Sequence, residues 1–228
     1  MNKNIFHVHT KRCRHASNES DEEYIKRAIE LGAQSITFTD HAPFPGDPFR
    51  NRMKCKELNE YIQSLNTLKN KYKNEIAVQI GLEIEFLPYY IEYYKKLRNS
   101  GNFDILILGQ HFFEIRAGQY VFPSLSKENR DRFAYGCGKA IIEGINTGLF
   151  DVVAHPDRIF KYKTSWNAEM EEMTKKIVDA AKMHNVLLEQ NESSKRKNHY
   201  WEEFWGFVPE EMVIRGLDAH SVKELKLL

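Results

Sequence analysis

The feature that most constrains this chain is the position of its metal-capable side chains, which close its apolar runs. Short β-rich apolar runs occur at residues 4–8, 35–39, 77–83, 103–108, 150–154, 185–188 and 212–217. The first ends in His7-Val8-His9, the second in Asp40-His41 and the third in Glu83-Ile84-Glu85. The fourth leads to His111, the fifth to His155-Pro156-Asp157 and the seventh to Asp218-Ala219-His220. Helical patterns lie between most of these runs. Ser20-Asp21-Glu22-Glu23 reads as a capping box, and Tyr24, Ile25, Ala28, Ile29 and Leu31 follow at helical spacing with Gly32 as the stop. Leu58, Tyr61, Ile62, Leu65, Leu68 and Tyr72 form a second apolar stripe, and further helices are expected within 89–98, 127–146 and 167–184. Seven strands alternating with helices predict a parallel α/β barrel. In such folds the site lies at the carboxyl ends of the strands, so six separated segments are expected to converge there.

The remaining composition narrows the partners. The length of 228 residues suits one domain of barrel size, or at most two small ones. Lys and Arg total 33 against 32 Asp and Glu, a net charge of +1 with no dense basic block, which argues against a nucleic-acid partner. No apolar stretch approaches the ~20 residues of a membrane span, and no membrane association is expected. The first residues lack the apolar segment of a secretory signal. The three cysteines, Cys13, Cys55 and Cys137, include no Cys-x-x-Cys pair, so a reducing cytoplasm is the expected compartment.

Histidine carries the chemistry. His-x-His at residues 7 and 9 puts two imidazoles on one face of a strand. Each histidine alone has an ordinary reading, and His15 by itself would pass for a surface residue. Jointly, seven of the nine (7, 9, 15, 41, 111, 155 and 220) fall at or just after strand ends. Imidazole with a few carboxylates is the ligand mix of zinc, iron or manganese rather than calcium. Seven histidines plus Glu83 and Asp218 exceed what one tetrahedral ion uses, and predict two or three divalent ions. Such a cluster, faced by two carboxylates, stays strongly positive and favours an anionic substrate such as a phosphate monoester. Neither a Gly-x-Ser-x-Gly elbow nor a Walker loop is present.

In this order, His7-x-His9-Thr10, Asp40-His41, Gly81-x-Glu83, His111, His155-Pro156 and Asp218-Ala219-His220 resemble the successive motifs of the polymerase-and-histidinol-phosphatase (PHP) superfamily. The stretch His7 to His15, with Cys13 inside it, and Asp40-His41-Ala42-Pro43 are similar to the monofunctional bacterial histidinol-phosphate phosphatases within it. The resemblance implies a distorted, TIM-like seven-stranded (β/α) barrel with a trinuclear metal site. It implies one barrel domain over residues 1–228, with a C-terminal helix of the family missing because eight residues follow His220. It further implies three ion sites: His7, His9, Glu83 and Asp218; Glu83 with His111 and His155; and His15, His41 and His220. Glu85 and Asp40 would orient ligands. The segment Glu189-Gln190-Asn191 to Arg196-Lys197 resembles one in which an arginine approaches the substrate phosphate. Arg196 is therefore expected on a loop over the site, with Arg158 and Lys161 as further phosphate-binding candidates. The implied reaction is hydrolysis of a small phosphorylated substrate, L-histidinol phosphate, by a metal-bridging hydroxide. Two alternatives stay open: a PHP-type nuclease or phosphodiesterase, and a non-catalytic metal-binding module. The amidohydrolases share His-x-His and a late Asp, but His111 stands where they place a lysine.

Overall fold

The capping box at Ser20 forms. Ser20 Oγ accepts the Glu23 N–H at 3.3 Å, and the Glu23 carboxylate accepts the Ser20 N–H at 2.7 Å. Helix α1 (Asp21–Glu30) starts there and buries Tyr24, Ile25 and Ala28. The structure, a computed structural model, describes residues 3–123 and 126–228. Its backbone divides into two units. No helix among the described residues is long and apolar enough to cross a membrane.

The first unit comprises Met1–Glu83, Lys96–Leu106 and Arg215–Leu228. In it β1 (Asn4–Val8), β2 (Ser35–Phe38) and β3 (Ala77–Ile84, in this unit as far as Glu83) pair in parallel. Ile5, Val8, Ile36, Phe38, Ile80 and Leu82 are buried from these strands, and α2 (Leu58–Lys71) adds Tyr61 and Leu65. The chain end returns to β1: the Leu217 N–H donates to Phe6 O at 2.9 Å, and the Ala219 N–H to His7 O at 3.1 Å. The β1–β2 register shifts between Ile5 and Val8, and His7 within that stretch has φ 68°. A bulge of this kind re-aims side chains at the end of a strand.

The second unit comprises Ile84–Lys95 and Ile107–Ile214. The end of β4 (Ile105–Leu108) pairs in parallel with β7 (Val152–Val153), which pairs with β8 (Leu187–Asn191). An antiparallel hairpin, β5 (Phe113–Arg116) and β6 (Gln119–Val121), follows His111. The apolar runs predict no strand there, although Phe113-Glu114-Ile115-Arg116 alternates and Gly118 supplies a turn residue with φ 77°. Helices α4 (Lys127–Asn146) and α5 (Ala168–His184) match the expected segments. Helix α3 (Ile91–Asn99) precedes α4, and α6 (Glu192–Arg196), α7 (Glu202–Trp205) and β9 (Val213–Gly216) follow β8; among the described residues the strands of the main sheet take the order β1-β2-β3-β4-β7-β8-β9.

Gly81 shows why the Gly-x-Glu spacing is needed. A Cβ at Gly81 would lie 2.6 Å from Ile105 Cγ2, 2.8 Å from Ile105 O and 3.2 Å from Phe38 O. Two of those atoms are strand backbone and cannot rotate away. Gly81→Ala should destabilise by roughly 1–3 kcal/mol, as overpacked core sites do. The measurement is the denaturant midpoint at unchanged slope; a midpoint equal to that of the parent chain would show that β3 and β4 can part.

Candidate metal centre

The end of β1, the end of β3 and the segment after β9 bring four donor atoms together in the first unit. His7 Nε2 lies 3.0 Å from His9 Nε2. Glu83 Oε2 is 3.4 Å from His7 Nε2 and 3.3 Å from His9 Nε2. Asp218 Oδ1 is 3.3 Å from His9 Nε2 and 3.9 Å from His7 Nε2. A tetrahedral zinc shell with bonds of about 2.0–2.1 Å to N and O has edges of about 3.3–3.4 Å. The five distances scatter around that edge, so this donor set fits a divalent ion. All four side chains are buried, and His7 and Asp218 hold left-handed backbones with φ 68° and 52°. Backbone strain of this sort persists where the surroundings over-determine it, commonly at functional sites.

A second group adjoins the first. Ligand atoms of His15, His41 and His220 lie within 4.8 Å of one another. His15 Nδ1 donates to Cys13 O at 2.8 Å, and His220 Nδ1 to Asp218 O at 3.0 Å. Those bonds place the lone pair on each Nε2, and the two Nε2 atoms are 2.9 Å apart. His41 Nδ1 is 3.1 Å from Glu83 Oε2, so one carboxylate oxygen faces His7, His9 and His41. Cys13, to which the sequence reading gives no role, has its sulfur within 4.8 Å of His9 and His220 ligand atoms.

The electrostatics separate the two groups. Burial lowers the basicity of His9, but Asp218 and Glu83 outweigh it and raise its pKa to about 9. Two buried carboxylates thus draw positive charge to this point, and the buried His9 Nδ1 has no hydrogen-bond partner among the described residues. Burial, reinforced by His9, lowers the His220 pKa to about 3, and burial also lowers that of His15. Both are neutral imidazoles near pH 7, the form that binds a metal.

Asp40 has a different task. Its buried carboxylate accepts the Thr10 N–H at 2.7 Å and the Thr10 hydroxyl at 2.5 Å, which fixes the residue after His9.

The other predicted residues lie in the second unit. His111 Nδ1 donates to Glu85 Oε1 at 3.1 Å, and the His111 and His155 ring centroids are 5.1 Å apart. His155 has φ 36° and donates its N–H to Glu189 Oε2 at 3.1 Å. Asn191 Nδ2 donates to that same oxygen at 3.0 Å. Asn191 Oδ1 accepts from Arg158 at 3.1 Å, and Arg158 Nε donates to Ser194 Oγ at 3.1 Å. Glu189 and Asn191 therefore hold the turn that carries His155 and Arg158. The apolar run 185–188 predicts a strand ending at Leu188, whereas β8 continues to Asn191; the Asn-x-x-Ser start of α6 is the local signal for the Asn191 cap. Lys161 stands over the Phe133 ring at 4.8 Å, and burial with neighbouring Arg158 lowers its pKa to about 8. Arg196 departs from expectation. It is an exposed last residue of α6, not a loop residue, because Asn191 caps a helical turn through Ser194 N–H at 2.9 Å.

A family model described as the PHP domain matches residues 6–193. A probable histidinol-phosphatase of Deinococcus radiodurans is 30% identical over 158 residues, 66% of this chain and 59% of that protein. The chain thus spans about three fifths of that relative's length. A histidinol-phosphatase of Lactococcus lactis is 26% identical over 98% of this chain and 86% of its own. Among solved structures, histidinol phosphate phosphatase from the same organism, complexed with zinc, L-histidinol and phosphate, has a TM-score of 0.74 at 21% identity. That match covers 97% of this chain and 87% of the other. The likeness shows the fold, a seven-stranded α/β barrel of the kind the sequence predicts.

Proposed function

This chain belongs to the PHP domain family, and from that premise we propose that it is a metal-dependent phosphomonoesterase hydrolysing L-histidinol phosphate to L-histidinol and phosphate. The observation that carries the reading is the donor set His7, His9, Glu83 and Asp218, spaced like the edges of a coordination shell. Relatives named histidinol-phosphatase support the substrate.

His7, His9, Glu83 and Asp218 would hold one divalent ion, and His15, His41 and His220 a second. His111 and His155 are proposed as ligands of a third, with Glu85 orienting His111. Zinc, iron or manganese suits imidazole and carboxylate donors. Bound ions would polarise phosphoryl oxygens and lower the pKa of a coordinated water. Arg158, aimed by Asn191 and Ser194, offers its guanidinium to phosphate oxygens, with Lys161 and Arg196 as further cations. Asp40 keeps Thr10, and with it the turn between His9 and His15, in place.

The test measures phosphate release from a panel of monoesters and a bis-ester, with metal content determined on the same sample. Histidinol phosphate should be the best substrate, chelation should abolish turnover, and zinc, iron or manganese should restore it. Chelator-resistant turnover, or less than one ion per chain with no uptake of added metal, would sink the proposal. Preference for the bis-ester would turn the reading toward a nuclease.

A further inference from the structure

We propose that Arg12 is the positioning residue of the His15-His41-His220 group, an inference that rests on the metal-binding reading above. Arg12 sits in the short turn Lys11–Cys13, between the ligands His9 and His15, and is buried. All five of its N–H donors are used. Two go to the buried Asp21 of α1 at 2.7 and 2.9 Å, and two to Glu60 of α2, each at 3.0 Å. The fifth goes to Thr10 Oγ1 at 3.1 Å. The Tyr61 ring supports the guanidinium at 5.4 Å.

Thr10 extends this anchor into the centre. While accepting from Arg12, its hydroxyl donates to Asp40 Oδ2, one residue before His41. On the other side of Arg12, the carbonyl of Cys13 holds the His15 ring. The guanidinium therefore ties two ligand-bearing loops to two helices. Asp21 carries most of this, since the Glu60 side chain is 65% exposed and its ion pair is screened. His7 and His9 have another support. The His9 N–H donates to Ala219 O at 2.8 Å, and the Ala219 N–H to His7 O. Disturbing Arg12 should thus loosen one group and spare the other. A lysine cannot replace it, because an ammonium has three donors and no planar fork.

The test titrates zinc or cobalt into the unsubstituted chain and into Arg12→Lys, Thr10→Val and Thr10→Ser, against a competing chelator. Arg12→Lys and Thr10→Val should each weaken one equivalent of metal by about 10–100-fold, as lost orienting contacts do, with the tightest equivalent within about twofold. Thr10→Ser, which keeps the hydroxyl, should recover the affinity that Thr10→Val loses. Thr10→Val leaves the ion pairs of Arg12 in place, so it serves if Arg12→Lys fails to fold. Equal weakening of every equivalent would make Arg12 a general stabiliser, and unchanged affinity would leave it without a role here; either result overturns the proposal. An unsubstituted chain that takes up no metal would instead overturn the metal-binding reading.

Discussion

Glu83→Ala should nearly abolish turnover, while Glu85→Ala leaves a measurable enzyme. The two carboxylates are two residues apart and equally buried, so exposure does not rank them. Their contacts do. Glu83 Oε2 faces three imidazoles at 3.1, 3.3 and 3.4 Å, whereas Glu85 accepts from His111 at 3.1 Å. Removing Glu83 takes a negative charge from among ligands that would share ions. Metal assistance contributes several kcal/mol to a transition state, and about 4 kcal/mol corresponds to about a thousandfold in rate. Removing Glu85 removes an orienting contact, expected to cost about 10–100-fold. Steady-state kinetics with metal content measured in parallel decides the matter. Equal losses, or a larger one for Glu85→Ala, would show that the other carboxylate holds the ions.

Arg158→Ala should lower kcat/KM for a phosphomonoester by about 10²-fold, close to 2.7 kcal/mol of lost transition-state binding. Arg196→Ala, by contrast, should cost about tenfold. The ranking follows from where each guanidinium is held. Arg158 is half-buried, with Nε on Ser194 and a terminal nitrogen on Asn191, so its fork is oriented before an anion arrives. Arg196 is exposed at the end of α6, where solvent and salt screen its charge. Metal content should not change in either variant, because arginine ligates nothing. A larger loss at Arg196 would show that α6 turns its last residue toward the phosphate in the working enzyme.

Much of the fold was legible because the signals are short-range. The Ser20 capping box, the α2 stripe and the apolar runs before His9, His41, Glu83, His111, His155 and Asp218 each lie within a few residues. Period-two spacing also anticipated that the rings of His7 and His9 would meet. The backbone does this by another route, with a register shift in β1 and a left-handed His7 rather than a regular strand.

The sequence by itself determined the element types, their alternation and the ligand-bearing positions, because propensity, periodicity and capping are properties of neighbouring residues. The family resemblance already implied a grouping with Glu83 rather than Glu85 beside His7 and His9. Only the tertiary structure gave the distances within it, set His41 against the same Glu83 oxygen, turned Asp40 toward Thr10, and put Arg196 on a helix. It also gave Arg12 and Glu189 their work, which no local pattern announces. The reason is physical: such contacts join residues far apart in sequence, and left-handed backbones at His7, His155 and Asp218 are tolerated where the packing around them fixes them.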